Sequence, residues 1–321
     1  MILEAIEYIH IMEKLFTPVF AGGTGRSGTT IIVNLLSRHP EFHSSMPREI
    51  KYLTERNGLI DFNFNRPIKE ERSFDEVRNA IAARILPYLG KSKLQIFSDR
   101  LHGRWWSEEG KKGRPRGLVQ GIELSVLEEA FRVFEVEYKK DVRNASRNFY
   151  FTLSSSQIMK PEIKFFADST PTNIINAKYL HQLLPRALFI NMIRDGRDVA
   201  LSVSKERWGP STPEKSLNWW EKRIEMGFQS LRTVPNENKI DIRLEDLVVT
   251  NRDSNYSRLL SFLKVEDSPK LREYFDSQLI PEKTHGGEWK NQVKNPETFD
   301  RAYSKTLQRL AKKGILIEKY Y

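Results

Sequence analysis

Residues 17–40 read TPVFAGGTGRSGTTIIVNLLSRHP. A short apolar run enters a glycine-rich turn, and an apolar stretch with helical spacing leaves it. Ile31, Ile32, Leu35 and Leu36 fall on one helix face, and Pro40 stops the pattern. A strand, a glycine loop and a helix in that order form an anion site. Turn amides converge there, and the helix N-terminus carries partial positive charge.

The spacing says what kind of anion. Loops that cradle a nucleoside triphosphate read GxxxxGK[ST]. Gly23 and Gly28 keep that spacing, but Thr29 stands where the lysine belongs. Arg26, inside the loop, is the nearby cation. Without the lysine, the β- and γ-phosphates of a triphosphate lose their usual partner. A shorter anion such as a single 5′-phosphate fits the loop better. Ser27, Thr29 and Thr30 add hydroxyl donors.

The rest of the chain supplies the sheet. EIKFFADSTP reads as a strand ending at Asp168, and TNIINAKYLHQLLPRA as a helix. ALFINMIRD is a nearly continuous apolar run, as expected of a parallel strand buried on both faces. DGRDVALSVSKERW follows as a turn and helix, with Asp195 or Asp198 as its cap. KIDIRLEDLVV reads as another strand. Strands alternating with helices predict an α/β fold with an open, mainly parallel sheet. Residues 62–160 break the alternation. They carry helical patterns at 73–89 and 126–142 and a basic, glycine-rich loop with Trp105 and Trp106. This segment is expected to be a helical insertion on the acceptor side of a single domain spanning 1–321.

Composition excludes some classes. There is no cysteine, so disulfide and thiol chemistry are absent. Lys and Arg outnumber Asp and Glu, 52 to 42, which gives a net charge of +10 and a surface that attracts anions. No apolar run approaches the roughly 20 residues that span a bilayer. The N-terminus lacks the basic start of a signal peptide, and its Ile2, Ile6, Ile9 and Met12 have the spacing of an amphipathic helix. A cytoplasmic location is the expectation.

GRSGTT resembles the 5′-phosphosulfate loop of sulfotransferases, which take 3′-phosphoadenosine 5′-phosphosulfate (PAPS) as donor. The resemblance implies a P-loop-like sulfotransferase fold. It also implies that Arg26 contacts the oxygen bridging phosphorus and sulfur, with Gly25, Ser27, Gly28, Thr29 and Thr30 around the phosphosulfate. The family's second signature is an arginine ending a later strand with a serine eight positions on, both on the 3′-phosphate. Arg194 and Ser202 match it. An arginine at the carboxyl edge of a parallel sheet is where such sheets bind ligands, and its planar fork suits phosphate. Arg197, the nearest competitor, is expected to face solvent. RLEDL at 243–247 resembles a strand-end motif of the family. KTHGGEWKN at 283–291 resembles its late Arg-Lys-Gly-x-x-Gly-Asp-Trp-Lys loop, with Lys283 on the family lysine and Trp289 on the tryptophan. Glu282 and Thr284 depart from that pattern, and Ser169 stands where many related enzymes carry a lysine.

Sulfuryl transfer needs a base for the acceptor proton and a cation for the leaving phosphate. Glu49 in REIKYL resembles the proposed base of heparan sulfate sulfotransferases. His102 in DRLHGRWW is the rival. His39 is expected to cap its helix, and Lys51 to sit in solvent or guide an acidic acceptor. No metal is required by this chemistry. The expected acceptor is a small molecule or glycan bearing a hydroxyl or amine, and nucleic acid is not expected. Two other functions stay open: a P-loop-type phosphotransferase with Asp168 as Mg²⁺ partner, and a non-catalytic basic binding module. The module would stack its ligand on Trp105 and Trp106, flanked by Arg104, Lys111, Lys112, Arg114 and Arg116.

Overall fold

A computed structural model describes residues 15–64, 66, 90–109, 113 and 115–320. The expected N-terminal helix, the helical pattern at 73–89, and Lys111, Lys112 and Arg114 lie outside those residues. The chain forms two compact units: residues 16–49 with 160–321, and residues 50–159.

The first unit is built on a five-stranded sheet. Its elements run β1 (Thr17–Gly23), α1 (Thr29–Leu36), β2 (Phe42–Ser44), β3 (Phe165–Asp168), α2 (Ala177–Leu183), β4 (Leu188–Ile193), α3 (Gly196–Ser204) and α4 (Pro213–Leu231). They continue through β5 (Lys239–Arg243), α5 (Arg252–Leu263), α6 (Pro269–Gln278) and α7 (Pro296–Lys312). Strand order is β2-β3-β1-β4-β5, and every pairing is parallel. The open parallel sheet expected from the sequence is therefore present.

β1 is the central strand and is buried almost end to end. Its register with β4 pairs Ala21 with Ile190 and Gly23 with Met192. Paired residues share a face, so Val19, Ala21, Ile190 and Met192 join one core with Ile32, Val33, Leu35 and Leu36 of α1. Phe20 and Phe189 pair on the opposite face, ring centres 5.7 Å apart. A second core joins α3, α4 and α7 through Val199, Val203, Trp220, Phe299 and Tyr303.

The unit of 50–159 is mainly helical, with helices at Lys93–His102, Leu124–Glu137 and Val142–Ser155. Ser92 and Gln95 form a reciprocal capping box on the first, and Asp141 caps the last. Phe97, Phe134 and Phe149 pack mutually at 5.5–5.6 Å. Trp105 belongs to that core. It is 1% exposed, and its indole N–H donates to Glu55 at 3.0 Å. The expectation that it serves as a stacking platform is corrected: Glu55, 50 residues away, takes its polar edge. Lys51 is also engaged, with Nζ 2.6 Å from Glu108.

Candidate active site

The site forms where β1 and β4 end. Between them the chain turns through left-handed backbone at Gly25 (φ 88°), Arg26 (φ 59°) and Gly28 (φ 96°). Only glycine adopts such angles without strain at 25 and 28. Gly23 is needed for a different reason. A Cβ there would lie 2.4 Å from Ser27 Oγ and 2.5 Å from the Met192 carbonyl, so loop and strand could not close together.

The loop delivers α1 with an open N-terminus. Gly28 takes the cap position, and no side chain caps the helix. Its first amides are thus without a side-chain cap, an arrangement that suits an anion. Ser27 is completely buried, and its Oγ has no hydrogen-bond partner. A buried hydroxyl of this kind costs free energy unless something fills its place. An anion bound to the loop would do so, and these residues fit one. Thr29 is buried and Thr30 exposed.

Arg26 and Ser202 come together. Arg26 Nε donates to Ser202 Oγ at 2.9 Å, and its guanidinium lies 3.8 Å from the Glu206 carboxylate. Arg194 follows the last residue of β4 and joins the same group. It donates to the Arg26 carbonyl at 3.2 Å and to the carbonyls of Thr284 and His285 at 3.1 and 2.9 Å. Two arginines and a serine from distant parts of the sequence thus share one edge of the sheet with the glycine loop. The late loop reaches this edge through its backbone. Lys283 is directed elsewhere: its Nζ donates to the Ser277 carbonyl and Gln278 Oε1, both at 2.9 Å, at the end of α6.

Asp195 caps α3 by accepting from the Arg197 amide at 2.9 Å. Asp198, which the sequence offered only as an alternative cap, ties down the late loop instead. It accepts from the amides of Gly287 at 2.8 Å and Trp289 at 3.4 Å. Burial raises its pKa, and these amides oppose the rise. Arg197 corrects an expectation. It is fully buried rather than solvent-facing, bonded to Asp195 at 2.9 Å and to Asp300, with Trp289 and Tyr303 packed on its guanidinium. It locks the floor beneath the site and has no surface for a ligand.

Glu49 is exposed at the end of a clamped segment. The Ser45 amide donates to the Ala167 carbonyl at 2.8 Å, and the Ser169 amide and hydroxyl both donate to the Arg48 carbonyl at 3.0 Å. Ser169 is therefore a buried backbone tie. Asp168 is fully buried. Its Oδ1 accepts from the Thr170 amide and hydroxyl at 2.9 and 2.7 Å, and its Oδ2 from Asn173 at 2.9 Å. That corrects its reading as a metal partner: both oxygens hold the turn after β3. Among the described residues, no group of His, Cys, Asp or Glu is arranged to hold a metal ion.

The histidines are mostly structural. His39 does not cap its helix by side chain; its ring meets the Glu266 carbonyl at 3.0 Å. His43 stacks on Phe166, and burial lowers its pKa. His102 ends a helix of the other unit. It is exposed, with Nδ1 2.9 Å from the Ser98 carbonyl.

The model of the sulfotransferase family matches residues 18–269, which include the glycine loop, Arg194 and Ser202. The chain belongs to the sulfotransferase family. This sulfotransferase chain also resembles the sulfotransferase domain from the curacin biosynthetic pathway. The TM-score is 0.50 at 16% identity, over 93% of this chain and 98% of that one. That similarity speaks for the fold. A sulfotransferase domain from the Synechococcus PCC 7002 olefin synthase matches at TM-score 0.48 and 14% identity, covering 95% and 97%. Among the described residues, no helix is long and apolar enough to cross a membrane.

Proposed function

We propose that this family member transfers a sulfuryl group from PAPS to a hydroxyl or amine of its acceptor. The observation that carries this reading is the 3.2 Å contact between the Arg194 guanidinium and the Arg26 carbonyl. It joins the two cationic elements that a nucleotide with both a 5′-phosphosulfate and a 3′-phosphate would need.

In this reading the loop amides of 25–30 and the Ser27 hydroxyl hold the 5′-phosphosulfate. Arg194 and Ser202 hold the 3′-phosphate, as the family signature implies, while Lys283, whose amine is bound at the end of α6, takes no part. The acceptor oxygen attacks sulfur as the bond from sulfur to the bridging oxygen breaks. That electron pair leaves on the phosphate of 3′,5′-ADP. Arg26, beside the bridging oxygen, balances the charge that develops there. Glu49 takes the acceptor proton. The single domain with 62–160 inserted and a cytoplasmic setting remain part of this proposal.

Arg26→Ala and Glu49→Gln separate the roles. Each should lower kcat about hundredfold or more while circular dichroism stays that of the wild type. Near-normal turnover in either variant removes that residue's role.

A further inference from the structure

The late loop is tied at two points to the stretch of chain from Arg194 to Asp198. Arg194 donates to the carbonyls of Thr284 at 3.1 Å and His285 at 2.9 Å. Asp198 accepts from the amides of Gly287 at 2.8 Å and Trp289 at 3.4 Å. A cation thus holds the loop by its carbonyls, and a carboxylate holds it by its amides. Asp198 is 2% exposed, so a ligand does not reach it.

The two ends of the loop are fixed elsewhere. Lys283 is bound at the end of α6, and Trp289 is buried with the Arg197 guanidinium 4.3 Å from its ring centre. Between them the backbone turns left-handed at His285 (φ 54°) and Gly287 (φ 78°). A side chain at φ 54° is uncommon and persists where its surroundings impose it. The loop's own side-chain bonds are exposed: His285 Nδ1 lies 2.7 Å from Glu288 Oε1, and Thr284 Oγ1 donates to the Pro281 carbonyl at 3.0 Å. Exposed pairs of this kind hold little. The bonds to Asp198 are sheltered, and bonds to a charged acceptor are the stronger kind.

We infer that Asp198 is a positioning residue for the donor: it sets the late loop so that the Thr284 and His285 carbonyls orient the Arg194 guanidinium for the 3′-phosphate. This rests on the sulfuryl-transfer reading above. Arg194 spends Nη1 on the Arg26 carbonyl and Nη2 on the two late-loop carbonyls. Three acceptors fix the plane of a rigid fork, and a fork already in place loses less freedom when it takes a phosphate. Without Asp198 the middle of the loop is released, and two of those three acceptors go with it.

Helix geometry and charge agree with this role. Asp198 and Ser202 are four positions apart on α3 and share one face. That face carries both the serine assigned to the 3′-phosphate and the anchor of the loop beside it. A carboxylate suits the anchor because its two oxygens accept from two amides at once, whereas an Asn side chain has one oxygen. Burial raises the Asp198 pKa, while the Gly287 amide and the Arg194 charge favour the ionised form.

Calorimetry with 3′,5′-ADP and with 5′-AMP, which lacks the 3′-phosphate, tests this in the wild type, Asp198→Asn, Asp198→Ala, Arg194→Ala and the double variant of Arg194→Ala with Asp198→Ala. Asp198→Ala should bind 3′,5′-ADP about tenfold more weakly than wild type, and Asp198→Asn, which keeps one acceptor oxygen, about threefold. 5′-AMP should bind alike in the wild type and both Asp198 variants. Added to Arg194→Ala, Asp198→Ala should weaken 3′,5′-ADP by less than about twofold more, because it acts through Arg194. Hydrogen exchange of the unliganded protein at 284–289 should be faster in Asp198→Ala than in wild type. Unchanged 3′,5′-ADP affinity overturns the proposal, as do full additivity with Arg194→Ala and unchanged exchange. Equal losses for the two nucleotides overturn it too, because they mark a general disturbance of the fold. Should Asp198→Ala not fold, the threefold loss in Asp198→Asn, confined to 3′,5′-ADP, carries the same decision. A wild type that binds 3′,5′-ADP no more tightly than 5′-AMP strikes at the donor assignment instead, and the exchange still decides whether Asp198 holds the loop.

Discussion

Arg194 and Arg197 lie three positions apart, the first just past β4 and the second in the first turn of α3, yet they live in opposite surroundings. Arg194 reaches across to the backbone of the glycine loop and of the late loop. Arg197 has no accessible surface and is closed in by Asp195, Asp300, Trp289 and Tyr303. The loop edge keeps left-handed backbone, an unpartnered Ser27 hydroxyl and an uncapped helix end. The lock beneath it has its charges paired. The lock fixes the start of α3, beside polar groups at the edge that a bound anion would satisfy.

The largest expected effect separates these two arginines. Arg197→Leu leaves Asp195 buried without its partner and should cost about 3–5 kcal/mol in denaturant unfolding. Arg194→Ala should change unfolding by about 0.5 kcal/mol or less. If both variants lost stability alike, the division between edge and lock would fail.

A smaller effect sharpens the comparison through pH. Glu245 belongs to the lock: its carboxylate accepts from the Asp195 amide at 2.7 Å. Burial pushes its pKa from 4.5 up to about 6, against the backbone bonds that favour the charged form. A raised folded-state pKa means that the proton stabilises the fold. That contribution is complete below about pH 4.5 and is lost as pH rises through about 6, a span worth about 2 kcal/mol. Glu245→Gln should keep the bond to Asp195 and flatten the fall in unfolding free energy across this window. An unchanged slope would place the pH sensitivity elsewhere.

The sequence and the structure agree where local signals are enough. The strand, turn and helix at 17–36 follow from glycines between two apolar runs, and β4 from its continuous apolar stretch. The place of Arg194 follows from its position at a strand end, whereas the choice of Asp195 over Asp198 as cap needed the structure. The rest depends on partners far along the chain. Arg197 finds Asp300 across 103 positions, and Asp198 finds the Gly287 amide across 89. Neither is written in the residues around them. Trp105 sits in a basic loop, and the partner of its indole N–H, Glu55, lies 50 positions away. The mismatch at Glu282 and Thr284 weakened the likeness of the late loop, whose link to Arg194 is made by carbonyls that any residue supplies.

The central claim is that the loop edge and Arg194 grip one bisphosphorylated adenosine. Titration calorimetry of 3′,5′-ADP, against ATP with Mg²⁺, tests it without knowledge of the acceptor. 3′,5′-ADP should bind the wild type more tightly than ATP does, and about ten- to hundredfold more weakly after Arg194→Ala. Tight binding of ATP with Mg²⁺ and none of 3′,5′-ADP would contradict the claim.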